Sequence, residues 1–272
     1  MKMKTSKKIG FYIFNILLAL LIILPIIYCF NISMMSNKEV YAGNFWPSQL
    51  TLENYERAME MAPLDVFLRN SLIMSIGITV GQVVTGALAA YAFAMLDFRG
   101  KNVLFMIMLA TMMIPGQAII IANYLTICDW GLSNTFAALI LPNLAAAFAV
   151  FNMRQAFLQL PREIKEAAEI DGCSNFRFFR SIALPLVKPS IGALGIYVFL
   201  QSWNMYLWPL LVTDAKEMRT VQIGLGMLQG AESTDFRPVM AGAMIILLPS
   251  ILAFIIGQKQ LISGLTSGSV KG

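Results

Sequence analysis

The residues best suited to chemistry are Glu166, Ala167 and Ala168, with Asp171 and Gly172 just after them. A carboxylate beside two of the smallest side chains makes and breaks no bonds. It offers a charge and a surface that another backbone can approach closely, which is the chemistry of docking. Candidates for catalysis are scarce. The chain has no His, the commonest general base and metal ligand. Its three cysteines, Cys29, Cys128 and Cys173, are odd in number and far apart, so they are expected to be buried or incidental rather than ligands or a disulfide framework. No catalytic residue and no metal site is expected. A G-x-x-x-x-G-K-[ST] phosphate loop is also lacking, so the chain should bind no nucleotide cofactor itself. Trp203, Asn204 and Tyr206, with Trp208, form a second set. Aromatic faces suit the C–H surfaces of sugars and an amide suits their hydroxyls, so these residues are candidates for a substrate pathway. Trp and Tyr at the end of a span more commonly form an interfacial belt.

The docking candidates need a helix to carry them, and the segment 160–189 supplies its signals. Pro161 suits a first helical position, Glu163 complements the positive end of the helix dipole, and Gly172 is placed to end the helix in a left-handed cap. A short helix over 161–171 follows. Ser174 can cap a second one through Asn175, Phe176, Arg177 and Phe178, which Leu184-Pro185 should stop. From the residues alone the first helix has two readings. It either presents its carboxylate and alanines to a second protein or packs against the chain's own span ends.

Stepping outward, 58% of the 272 residues are hydrophobic and 13% are charged, about half the charged share of a soluble domain, and the mean hydropathy is +0.69. A bilayer core needs ~20 apolar residues of helix, because lipid cannot satisfy an exposed backbone N–H or C=O. Six stretches qualify, at 9–33, 70–96, 102–124, 136–153, 191–212 and 239–258, and none contains Asp, Glu, Lys or Arg. The expected fold is all-α and integral to the membrane. It comprises residues 1–69 (tail, first span and external loop), a core of five spans at 70–260 with a loop at 154–190, and a tail at 261–272. Of the 20 Lys and Arg, 14 fall in the two tails and the second and fourth loops, which puts both termini and the fourth loop in the cytoplasm. The net charge of +5 is spread among loops, so no nucleic-acid partner is expected. The first span reads as a retained helix, too long for a cleaved signal. Pro25, Pro115, Pro142 and Pro249 should kink their spans, and Gly77 with Gly81, then Gly86 and Ala90, marks a face for close helix packing. Uncharged spans argue against an ion-coupled secondary transporter, and the missing acid–base groups argue against a membrane enzyme.

The run Glu166-Ala167-Ala168, three residues, Gly172, nine residues, Ile182, one residue, Leu184-Pro185 resembles the EAA signature of binding-protein-dependent ABC importer permeases. Cys173 departs from the alanine usual there. Trp203-Asn204-x-Tyr206-Leu207-Trp208-Pro209-Leu210-Leu211 and the tail from Gly264 to Gly272 are similar to the carbohydrate-uptake branch, the tail in particular to the smaller permease of maltose importers. The resemblance implies a type I importer permease fold of six transmembrane helices in a prokaryotic cell membrane. It implies a second permease as heterodimer partner and two ATPase subunits that bind ATP and Mg and grip Glu166, Ala167, Ala168, Asp171 and Gly172. It also implies an extracytoplasmic solute-binding protein. The outer segment 214–237, polar and glycine-bearing, is expected as a mobile loop whose tip at 229–235, with Gln229, Gly230 and Asp235, either enters that protein's cleft or simply connects two spans. The C-terminal tail would reach between the ATPase subunits or fray.

Overall fold

The computed structural model of the chain describes residues 5–231 and 235–266. The elements run α1 (Thr5–Ser33), α2 (Asn37–Tyr41), α3 (Glu53–Met61), α4 (Leu64–Met95), α5 (Lys101–Thr111), α6 (Gly116–Asp129), α7 (Phe136–Ile140) and α8 (Ala147–Leu158). They continue with α9 (Arg162–Ile170), α10 (Asn175–Phe178), α11 (Leu184–Leu186), α12 (Lys188–Trp203), α13 (Leu207–Val212), α14 (Val221–Ala231) and α15 (Arg237–Thr266). Three helices are individually long and apolar enough to cross a bilayer, at Gly10–Ser33, Leu64–Met95 and Arg237–Gln260. Three bent pairs pass the same test only when each is taken together, as a broken span or a re-entrant loop: Lys101–Thr111 with Gly116–Asp129 at 93°, Phe136–Asn143 with Ala147–Leu158 at 50°, and Asn175–Leu186 with Lys188–Trp203 at 76°. The apolar stretches expected at 102–124 and 136–153 are therefore broken rather than merely kinked. Pro115 caps α6 with an extended backbone and Pro142 opens a 3₁₀ turn, as a residue without an N–H must where it interrupts a helical ladder. The expected fifth span also loses its second half, because α12 stops at Trp203 and a new helix starts at Leu207.

By contact density the chain divides into two compact units, Met1–Asp65 with Gly224–Leu248, and Val66–Ile223 with Pro249–Gly272. In the first, the side chain of Asn54 donates to the Ser33 and Met35 carbonyls at 3.0 and 2.9 Å, tying α3 to the end of α1. Glu39 gathers the backbone N–H groups of Ser36 and Ser48 and both serine hydroxyls. The hydroxyl and amide of Ser48, with those of Ser36, hold its carboxyl at about 2, against an ordinary 4.5. Asp235 accepts from Arg237 at 2.6 Å and Arg57 at 3.0 Å, and the Arg237 guanidinium keeps its carboxyl below the usual range. Residues 11–24 of α1 are exposed along nearly their whole length.

In the second unit the glycine row of α4 is the seam expected from sequence. A Cβ on Gly77 would lie 2.8 Å from Ile140, one on Gly81 2.3 Å from Leu144, and one on Gly86 3.0 Å from Ala149, so α7 and α8 lie directly against α4. The same helix repairs the break between them. The side chain of Gln82 donates to the Asn143 carbonyl at 2.9 Å and that of Thr85 to the Leu144 carbonyl at 2.9 Å, supplying partners that backbone at membrane depth would otherwise lack. Asn134, with φ 59, accepts from the backbone N–H groups of Asp214 and Ala215 at 2.7 and 2.9 Å.

Candidate functional site

The helix carrying Glu166 forms within a residue of its expected limits, with Pro161 as cap rather than first helical residue. It ends as expected: Gly172 has φ +73, its N–H donates to Glu169 O, and the Cys173 N–H donates to Ala168 O at 2.8 Å, the double closure of a Schellman motif. Ser174 caps the next helix by accepting from the Arg177 N–H. Leu184-Pro185 does not stop that helix. A π turn at Phe179–Ala183 carries it through to Leu186, the wider ring leaving room where the proline would crowd the preceding turn. The bend falls at Val187 instead.

α9 divides its surface between the two readings that its residues left open. Ala168 is 7% exposed and belongs to the chain's own core with Ile164 packed beside it. The close approach expected of Ala168 toward a second protein is thus used internally. Glu166, Ala167, Asp171 and Gly172 are exposed. Ile170 is 86% exposed and Phe176, on the next helix, 67%. The spacing of Ile170 from Glu166 puts both on one helical face, a signal that the sequence contained.

Three cations that the sequence reading did not single out hold this region to α4. The Lys165 ammonium donates to the Met95 carbonyl at 2.7 Å, Arg154 to Phe93 at 3.1 Å and Lys101 to Leu96 at 2.6 Å. The last carbonyls of a helix lack intrahelical partners and carry its negative end, so one helix terminus gathers charge from α5, α8 and α9. Arg154 also lies 4.1 Å over the Phe105 ring, a cation–π contact. The Tyr91 hydroxyl of α4 donates to the Asn175 carbonyl at 3.0 Å, and its ring packs 4.9 Å from that of Phe179. A cleft of about 630 Å³ runs beside α9, with Asp97, Lys101, Arg154, Arg162, Lys165, Glu166 and Glu169 among its lining.

The other candidate residues fare differently. Trp203 is 1% exposed and stacks on Phe199 at 5.8 Å. Asn204 caps α12 and donates back to the Leu200 carbonyl at 2.7 Å, while Tyr206 remains exposed. Trp208 is buried, its indole N–H on the Ala138 carbonyl at 3.1 Å. The mobile loop expected over 214–237 is largely helix: Val221, Ile223 and Leu228 are buried, and α14 includes Gln229 and Gly230 in its last turn. Asp235, expected at a contact tip, is committed to Arg57 and Arg237, and residues 232–234 of that tip lie outside the described residues. The expected tail is helical to Thr266, and 267–272 lie outside the described residues. The three cysteines are half-buried.

Residues 82–261 match the family described as "Binding-protein-dependent transport system inner membrane component", a stretch that includes α9 and the glycine seam from Gly86 onward. The arabinooligosaccharides transport system permease protein AraQ of Halalkalibacterium halodurans is 38% identical over 229 residues, covering 84% of this chain and 82% of the relative. AraQ of Bacillus subtilis is 33% identical over 271 residues, 97% and 96% of the two chains. The sn-glycerol-3-phosphate transport system permease protein UgpE of Brucella melitensis is 35% identical over 271 residues, 96% of each. Among solved structures, a chain of a bacterial ABC transporter involved in the import of the acidic polysaccharide alginate superposes with a TM-score of 0.80 at 24% identity, covering 95% of this chain and 99% of that one. At that identity the likeness speaks to fold.

Proposed function

This chain belongs to the family of binding-protein-dependent transport system inner membrane components, and from that premise we propose that it is a permease subunit of an ATP-driven carbohydrate importer, coupled to its ATPase partners through α9. The observation that carries the coupling role is the open face of that helix. Glu166 and Ala167 are exposed on it and Ile170, one turn on from Glu166, is 86% exposed, a charged and apolar knob of the kind that a partner's groove covers. Two ATPase subunits would bind ATP and Mg and close on it, and a second permease and an external binding protein would complete the assembly. The names of the relatives, arabinooligosaccharide and sn-glycerol-3-phosphate transporters, support the carbohydrate class.

Force applied to the knob has a route inward. Lys165 and the Tyr91–Asn175 contact join α9 and α10 to the end of α4, and the glycine seam joins α4 to α7 and α8. A push on α9 would therefore reach the broken helices as motion of packed bodies. With both termini cytoplasmic, α9 faces the compartment that supplies ATP.

The test is uptake into vesicles holding the whole transporter. Glu166→Lys should leave membrane insertion intact and abolish ATP-dependent uptake, because it reverses the charge that the proposed ATPase groove would receive. Normal uptake by that variant, or uptake that needs no ATP, would overturn the coupling role.

A further inference from the structure

α6 carries a row of groups that the coupling surface does not use. Asn123, Thr126 and Trp130 follow at intervals of three and four residues and so share one face of the second limb of the sharpest bent pair. With Ile127, Leu141 and Pro142 they line a cleft of about 300 Å³. Leu141 and Pro142 belong to the 3₁₀ turn where the neighbouring pair breaks. Interrupted helices at membrane depth are tolerated where they are plugged by protein or line a cavity.

One observation separates this row from a surface that merely meets lipid. The Asn123 carboxamide makes no hydrogen bond among the described residues, and an unpartnered amide against hydrocarbon is strongly unfavourable. Trp130 is 63% exposed, one turn from Thr126, whose hydroxyl donates to the Ala122 carbonyl at 2.9 Å and so keeps its lone pairs open. The lining thus offers two amide donors, amide and hydroxyl acceptors, and an indole. None of its side chains is charged, whereas phosphate and carboxylate are held by Arg, Lys or helix N-terminal amides.

We infer that this cleft is a contact site for an uncharged carbohydrate. Asn123 exchanges hydrogen bonds with ring hydroxyls, Thr126 accepts from one, and Trp130 supplies the platform for the C–H face of a sugar. The inference rests on the importer reading above and narrows it from the carbohydrate class to its neutral members.

The experiment uses the complete transporter in vesicles with its binding protein. Initial uptake of neutral trisaccharides (arabinotriose, maltotriose and cellotriose) is compared with that of sn-glycerol 3-phosphate, for wild type and for Asn123→Leu, Trp130→Ala and Trp130→Phe. Wild type should take up at least one neutral trisaccharide and prefer it to the phosphate. Asn123→Leu and Trp130→Ala should each lower that rate about 10-fold, the scale of one lost hydrogen bond or stacking contact. Trp130→Phe, which keeps an aromatic face, should retain at least about half. ATP hydrolysis stimulated by the binding protein should stay at the wild-type level in every variant, showing intact assembly. Unchanged uptake in both Asn123→Leu and Trp130→Ala overturns the site, and preference for the phosphate or transport of no neutral sugar overturns the solute class. Failure of the importer reading looks different, as uptake by wild type that proceeds without ATP.

Discussion

Lys165 holds the Met95 carbonyl at 2.7 Å while its backbone belongs to α9, so a single side chain forms much of the joint between a surface helix and a span. A charge-assisted bond of this kind contributes about 1.5 kcal/mol. Lys165→Met should leave ATP hydrolysis running but lower the solute moved per ATP, and Lys165→Arg should recover it; the ratio of uptake to phosphate release in vesicles measures both. Glu39 makes a different prediction. Its folded pKa of about 2 lies below the ordinary 4.5, so its stabilising contribution is complete above pH 4.5 and is lost as pH falls toward 2. Proteolytic nicking of the loop that follows α1 should rise across that window, and Glu39→Gln should remove the pH dependence. The residues that mattered were only partly legible. The left-handed cap at Gly172 was readable because a cap leaves a local signal. The pairing of Asp235 with Arg57 was not, since that partner lies 178 positions away.

Helices meet where their surfaces allow, and the glycines show how finely this is set. A Cβ on Gly86 would fall 3.0 Å from Ala149 Cβ and 3.2 Å from its backbone carbon, and backbone cannot swing aside. Gly86→Ala should therefore destabilise by about 1–3 kcal/mol, the usual cost of overpacking. At Gly195 the nearest atom would be Thr79 Cγ2 at 3.7 Å, ordinary contact, so Gly195→Ala should be neutral or stabilising by up to ~1 kcal/mol through helix propensity. Thermal unfolding of the purified protein in detergent separates the two. The seam was legible because small residues at a helical interval have one structural use in a membrane. That three of the six apolar stretches are bent pairs was not. Hydropathy sees apolar length, and a proline marks where a ladder must break without fixing the angle, which is 93° at Pro115 and 50° past Pro142. The segment 214–237 misled for a related reason: Gly224, Gly226 and Gly230 suggested a loop, yet burial of Val221, Ile223 and Leu228 makes it a helix.

At the scale of the whole molecule, the proposed coupling rests on surfaces exposed in this chain. Ile170 should be covered in the assembly, and a carboxylate there would be buried without a partner. Ile170→Asp is expected to lower the amount of ATPase retained with the tagged complex at least ~10-fold, read by quantifying both subunits after purification, while the yield of the permease itself holds. The helix that carries the proposed docking residues was legible because its cap signals sit in one continuous stretch. The anchoring cations were not, because they come from α5, α8 and α9 and meet only at the end of α4. α1 stands apart from all of this. Its most apolar window has a mean hydropathy of 2.8 and buries none of its residues, whereas the spans at Leu64–Met95 and Arg237–Gln260 bury 28% and 22% of theirs. That window, unlike the end of α1 that Asn54 ties to α3, hides nothing in the chain's own fold and has no burial to wait for during synthesis. It can enter the bilayer while the ribosome is still translating the rest, and so tether the nascent polypeptide at the membrane before the later, interdependent helices emerge.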